Sequence, residues 1–178
     1  MAYTIPAVRM PNNTYIMDSL KIAPALEKLQ PSPPMHLDSP LPTKVQDAVM
    51  KTFGALVPLV LPAVPRNLLN TASVDYFEST RKERFGMSLS ELEKTDKAKN
   101  AWENAEAGVD DLKALLAQDE SGPFFMGSTP SYADFVLVGA MEFMKRAQSE
   151  VFEKFMGMDE RFGKLYEACE KWLERDDH

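Results

Sequence analysis

Chemistry in a protein needs a nucleophile, an acid or base, or a charge placed to bind, and few residues of this 178-residue chain qualify. Cys169 is the single cysteine, and His36 and His178 are the two histidines. One thiol and two distant histidines make no metal cluster with usable spacing. No glycine loop that could cradle a phosphate is present. Cys169 shares a helical-period apolar stripe with Phe162, Leu165, Tyr166, Trp172 and Leu173. That setting predicts a buried structural thiol, not a nucleophile. The carboxylate with the most informative neighbour is Asp134, three residues after Ser131, a capping-box spacing with Asp where Glu is usual. The Ser131 oxygen would accept from the Asp134 N–H, and the carboxylate would reach back to the Ser131 N–H. That geometry accounts for Asp134 without a catalytic role. Asp18 and Ser19 stand where a second helix begins. Its free N–H groups and positive dipole end could hold a ligand carboxylate, although a plain N-cap explains the same residues. Arg81 falls near the Val74/Phe77 side of a further helix, where the simple reading is a buried stem and a charged head reaching for water.

The elements that must position these groups follow from patterning. Residues 3–17 read as extended, with Pro11-Asn12-Asn13 as the turn of a β-hairpin. A helix capped by Asp18 or Ser19 runs to Leu29 with Leu20, Ala23, Leu26 and Leu29 along one side, and Pro24 sits near its first turn, where proline costs least. Prolines 31, 33, 34, 40 and 42 make a stiff linker. From Thr43 onward everything reads helical. One segment runs to about Leu61, bent or ended near Pro58. A helix capped by Thr71 or Ser73 stops at Phe85–Gly86. A long element opening at Ser90 carries Trp102, Ala105, Val109, Leu112 and Leu116. The helix over 131–147 is apolar on every side and should be the buried centre of the bundle, with Gly139 admitting a close neighbour. A short helix over Val151–Met156 and the stripe containing Cys169 complete the set. The division is 1–31, linker 32–42, and 43–178.

Composition excludes several classes. Hydrophobic residues at 44% and charged residues at 26% are ordinary for a globular protein with a real core. The net charge of −7 argues against a general binder of nucleic acid or anionic membranes. The longest apolar run, Ala55–Val64, is too short to span a bilayer. A lone cysteine predicts no internal disulfide and a reducing, cytoplasmic setting. A two-stranded hairpin is marginal alone, so the N-terminal piece reads as half of a sheet.

Taken together, these features resemble the glutathione transferase superfamily, closest to its fungal glutathione-transferase-like branch. Tyr3-Thr4-Ile5-Pro6-Ala7-Val8 is similar to the family's entry into a strand–strand–helix half, with Pro6 as the cis-proline. Asp18-Ser19 is similar to the acidic residue and serine that open the next helix. Ser131-Tyr132-Ala133-Asp134 is similar to the capping box of the family's central helix, and Asp75-Tyr76-Phe77 to Arg81 with Phe85-Gly86 looks like the fungal branch. The resemblance implies a mostly α protein: an all-helical glutathione-transferase C-terminal domain preceded by a partial thioredoxin-like β-β-α remnant. It implies that Ile5, Pro6, Asp18 and Ser19 form part of a glutathione site. Glutathione is then the cosubstrate, a hydrophobic electrophile the other partner, and a homodimer is left open. It assigns no catalytic residue. In the family a strand–helix–strand unit with the catalytic Ser, Tyr or Cys precedes the cis-proline, and such a unit needs at least ~30 residues. Only Met1–Ile5 stand there in this sequence. The expectation is therefore a truncated transferase, inactive as given, with a non-catalytic helical binding or interaction module as the alternative.

Overall fold

In the computed structural model, residues 6–174 are described. Ile5, His178 and the isomer of the bond into Pro6 lie outside them.

Strands β1 (Ala7–Arg9) and β2 (Tyr15–Met17) pair antiparallel, with Ala7 opposite Met17, Val8 opposite Ile16 and Arg9 opposite Tyr15. The turn is held by its asparagines. Asn12 Oδ1 accepts from the Thr14 N–H at 3.1 Å and the Thr14 hydroxyl at 2.7 Å. Asn13 takes a left-handed φ of 65° and accepts from the Arg9 guanidinium. Among the described residues no third strand joins the sheet.

Helix α1 (Ser19–Leu29) follows directly. The apolar side read from its sequence is not the buried one. Ile22 is its only buried residue, while Leu20 is 51% and Leu29 54% exposed. The hairpin is too small to cover the helix, so only the turn that touches it is shielded. Pro24 is the sixth helical residue, a turn further in than expected. It lacks the N–H that would reach the Leu20 carbonyl, and the exposure of Leu20 lets water serve that group instead. The proline-rich connection is fastened at its middle, through Met35. Glu27 Oε1 accepts from the Met35 N–H at 2.6 Å, and the Met35 carbonyl accepts from the Tyr132 N–H at 2.9 Å.

Helix α2 (Leu41–Val60) starts on a proline pair, runs through Pro58, and ends two residues later at a 3-10 turn over Leu61–Ala63 and the single turn α3 (Val64–Asn67). Helix α4 (Thr71–Phe85) is capped by Asn70, not by Thr71 or Ser73, and Gly86 closes it at φ 72°. The long element expected from Ser90 is three pieces: α5 (Leu89–Leu92), α6 (Asp96–Lys99) and α7 (Ala101–Leu116). Ser88 and Thr95 each turn a side-chain oxygen to an N–H three residues on, and these caps interrupt what the apolar period alone would join. Helices α8 (Tyr132–Ala147), α9 (Ser149–Met156) and α10 (Glu160–Cys169) complete the bundle, with a 3-10 turn over Glu170–Trp172.

The core lies where α2 packs on α7 and α8, with Val45, Leu56, Leu112, Leu137 and Met141 fully buried. The α2–α7 crossing is close because Gly108 has no side chain. A Cβ there would lie 2.4 Å from Thr52 Oγ1 and 2.7 Å from the Thr52 nitrogen. At the far end the Phe155 and Phe162 rings stack with centroids 4.5 Å apart. Residues Leu41–Asn67 form a helical stretch long and apolar enough to cross a membrane by composition. Their packing against α7 and α8 makes them the core helix of this bundle.

Helix α8 departs from expectation on one side. Ala133, Leu137, Val138, Met141 and Met144 are buried. The opposite flank is apolar but open: Phe135 and Val136 are half-buried, Phe143 is 41% exposed, and Gly139 is exposed with nothing within 4 Å of where its Cβ would stand. The close neighbour expected at Gly139 is absent from the described residues. The glycine that does admit one is Gly108.

Candidate functional site

Asp18 stands at the junction of hairpin and helix. Its φ of 81° is left-handed, a conformation that Asp tolerates better than most residues. The turn brings its N–H to the Pro6 carbonyl at 3.3 Å and its carbonyl to the Lys21 and Ile22 N–H groups. Its carboxylate accepts from the Leu20 N–H at 3.1 Å. Pro6 and Ser19 are exposed and Asp18 is half-buried. The geometry thus joins Pro6 to Asp18 and places Ser19 on an open helix N-terminus with Lys21 close behind. Asp18 itself takes the Leu20, Lys21 and Ile22 N–H groups, so what this end offers a ligand carboxylate is Ser19 and the helix dipole.

The Ser131–Asp134 pair is the polar centre of the buried bundle, and all of it is inaccessible to solvent. The capping box closes in both directions. Asp134 Oδ2 accepts from the Ser131 N–H at 2.7 Å and the Ser131 hydroxyl at 2.8 Å, while Oδ1 accepts from the Phe125 N–H at 2.9 Å. One carboxylate therefore starts α8 and also fastens the preceding loop. Burial pushes the Asp134 carboxyl above its ordinary range, against the hydrogen bonds from Phe125 and Ser131. Its partners are all internal, so it has no face to offer a substrate.

Other reactive groups are occupied elsewhere. Cys169 is fully buried, and burial, with the nearby Asp134 charge adding to it, pushes its thiol up to about 12. Arg81 lays its guanidinium 4.2 Å over the Phe77 ring and donates to Thr80 Oγ1 at 3.0 Å. His36 is half-buried in the linker at a left-handed φ of 56°. No group of three or more His, Cys, Asp or Glu able to hold a metal ion occurs among the described residues.

Two polar clusters escaped the sequence reading. Tyr166 Oη donates to Glu142 Oε2 at 2.5 Å and accepts from Lys145 Nζ at 3.0 Å. Burial works against the Glu142 charge, but the hydrogen bonds from Tyr166 and Arg146 prevail and hold its carboxyl low. The Glu142–Arg146 spacing of four was a visible signal for part of this cluster. Tyr166 joins it from 20 residues beyond Arg146, which no local pattern reveals. The second cluster borders a cleft of about 740 Å³ between the α7–α8 connection and the start of α10, lined by Glu120, Ser121, Asp159, Arg161 and Lys164 among others. Arg161 grips Asp159 through Nε and Nη2 at 2.8 and 2.7 Å. That grip, set against partial burial, holds the Asp159 carboxyl down at about 2. None of Pro6, Asp18 and Ser19 lines this cleft.

A β-β-α unit leading through a proline-rich connection into a helical bundle, whose central helix starts on a buried Ser–Asp capping box, is the architecture that the sequence resemblance implies. The family described as glutathione S-transferase, C-terminal domain, matches residues 41–172. A glutathione S-transferase-like protein of Aspergillus flavus is 33% identical, over 97% of this chain and 68% of its own. A glutathione S-transferase of Ceriporiopsis subvermispora, solved in complex with glutathione, superposes with a TM-score of 0.82 at 29% identity, covering 99% of this chain and 74% of that one. A glutathione transferase of Phanerochaete chrysosporium shares the fold at a TM-score of 0.85 and 22% identity, over 99% of this chain and 73% of that one. The chain belongs to the glutathione transferase family.

Proposed function

We propose that these residues serve glutathione conjugation as an incomplete site, holding the peptide while lacking the group that activates its thiol. The observation that carries this reading is the open N-terminus of α1, where Ser19 is exposed beside a hairpin hydrogen-bonded to Asp18 through Pro6. That end suits the γ-glutamyl carboxylate, and the family resemblance assigns the cysteinyl group to Ile5 and Pro6. Conjugation also requires a hydrogen-bond donor at the sulfur. Cys169 is buried and Tyr166 is held by Glu142 and Lys145, so neither is free to be that donor. Without a donor the thiol keeps a pKa near ~8.5, and only a few per cent is thiolate at neutral pH.

The test is an assay with glutathione and 1-chloro-2,4-dinitrobenzene. A polypeptide of residues 1–178 should give no turnover, and the same polypeptide fused behind a family-type strand–helix–strand unit should conjugate. Turnover by residues 1–178 alone would overturn the reading. A second reading, a non-catalytic binding module, draws on the cleft that Arg161 and Asp159 border, since it lies apart from the α1 site. Failure of the fused form to conjugate would favour it.

A further inference from the structure

The cleft between the α7–α8 connection and the start of α10 has a volume of about 740 Å³, within the ~300–1,000 Å³ of small-molecule sites. Glu120 and Ser121 stand on one wall, Arg161 and Lys164 on the other, and Leu116 and Pro123 add apolar surface. Since none of Pro6, Asp18 and Ser19 borders it, a ligand held here is separate from one held at the α1 end.

The charges of the lining select the ligand. Arg161 holds Asp159 through Nε and Nη2, and Lys164 Nζ donates to Glu160 Oε1 at 2.6 Å. Glu120 has no such bond. Its ion-pair contact among the described residues is Arg161 Nη1 at 3.9 Å, beyond hydrogen-bond range. One guanidinium thus stands between two carboxylates, and that trio is negative overall. An anion brought to Arg161 Nη1 would meet both carboxylates and be repelled. A cation brought to Glu120 gains its attraction, while Asp159 offsets the repulsion from Arg161. The chain's net charge of −7 adds to the preference at longer range. The shape of the cation follows from what else is present. No group of acids able to hold a metal ion occurs among the described residues, and no aromatic ring in the lining offers a cage for a quaternary ammonium. A primary ammonium can donate to Glu120 and to the Ser121 hydroxyl. Glu160 offers a second ammonium a place, because its i, i+4 pair with Lys164 is exposed and cheap to exchange.

We infer that this cleft is a binding site for a linear alkyl amine of the diamine or polyamine class, with one ammonium on Glu120 and the methylene chain against Leu116 and Pro123. The inference goes beyond glutathione conjugation and does not depend on it. It gives the binding role drawn from the same cleft a ligand chemistry.

The experiment titrates 1-aminobutane, putrescine and spermidine into the 178-residue chain at low salt and follows backbone amide NMR shifts. The expected result is saturable shifts confined to residues 116–123 and 159–164, lost as salt is added. Spermidine should bind about threefold or more tighter than 1-aminobutane, because its further ammonium groups can engage Glu160. Glu120→Gln alters an exposed side chain, so the thermal melt should not move, and it should weaken spermidine binding about fivefold or more. Arg161→Gln supplies the sign. It removes the competing cation and frees Asp159, so it should tighten spermidine binding about twofold or more. The Asp159 carboxylate still caps the backbone N–H at position 161, and circular dichroism checks that α10 stays formed. Shifts that do not saturate, that spread over acidic surface away from the cleft, or that magnesium chloride reproduces at equal ionic strength would overturn the inference. Weaker spermidine binding by Arg161→Gln, or saturable binding of acetate in the cleft, would overturn it in favour of an anion. A blocked tripeptide with a central lysine that binds more tightly than spermidine would overturn the small-molecule assignment in favour of a protein side chain. Conjugation by the fused form without amine binding would sink only this inference. Amine binding by a chain whose fused form does not conjugate would sink only the conjugation reading.

Discussion

Replacing Asp134 by alanine should be among the most damaging single changes in the chain. The carboxylate is fully buried and accepts three hydrogen bonds, from the N–H groups of Phe125 and Ser131 and from the Ser131 hydroxyl. Alanine leaves two buried backbone donors and one hydroxyl unsatisfied, at ~1–3 kcal/mol each where no water enters. Against that, a buried charge is removed whose desolvation already pushes the carboxyl upward, and the hydroxyl can rotate to another acceptor. The balance is a loss of about 3–5 kcal/mol, well above the ~1 kcal/mol of an ordinary exposed cap. Guanidinium unfolding at neutral pH, followed by helical circular dichroism, measures it directly. Asp134→Asn separates charge from shape, because it keeps an acceptor oxygen and should lose less than the alanine variant. A raised folded-state pKa also fixes the sign of the pH dependence. Asp134 contributes stability that is full below its unfolded pKa near 3.8 and is lost as pH rises through the folded value. The Asn variant should lack that component. A loss under about 1 kcal/mol for Asp134→Ala would refute the reasoning, because it would mean that the buried donors find other partners.

Gly108→Ala should destabilise by about 1–3 kcal/mol in a thermal melt, because its Cβ would press on the Thr52 backbone, which cannot rotate away. Cys169 should resist a thiol reagent at pH 8 in the native protein and react fully in denaturant, since its thiol sits near 12 inside the bundle; rapid native labelling would contradict its burial. Asp159 acts opposite to Asp134. Its carboxyl is held at about 2, so its contribution is present above pH 3.8 and lost as pH falls toward 2. Arg161→Gln should remove that acid-side loss, and an unchanged acid unfolding profile would show the grip to be irrelevant.

The helical bundle was largely legible because its signals are local. Ser131 and Asp134 sit three apart, Gly86 follows an amphipathic run, and the α10 stripe keeps its period through Phe162, Leu165, Tyr166 and Cys169. Where several local signals compete, reading by apolar period went astray. Ser88 and Thr95 split one expected helix into three, and Asn70 displaced Thr71 and Ser73 as a cap, because side-chain oxygens decide helix starts within a turn. Faces were harder than elements. The sequence of α8 reads as apolar all round, yet burial needs neighbours, and none of the described elements reaches Gly139. The same limit exposed Leu20 and Leu29 on α1. The Tyr166–Glu142–Lys145 cluster and the Arg161–Glu120 border of the cleft depend on which helices meet, so single-chain spacing carried little of either.

Stability and ligand contact are unevenly shared between the two parts of this molecule, and under the proposed function the imbalance has a mechanistic consequence. Nearly all fully buried side chains, and the Ser131–Asp134 box, belong to the bundle from α2 onward. The residues placed to meet glutathione lie on a hairpin of three-residue strands and a helix with one buried residue, Ile22. Elements with so few buried contacts open at low cost, independently of the global unfolding that the bundle controls. A ligand bound at the α1 end must first order that region, and the ordering is subtracted from its affinity. That ordering runs through Asp18, whose backbone N–H holds Pro6 while its carboxylate holds the start of α1, so loss of either contact should weaken the ligand without lowering the stability of the bundle.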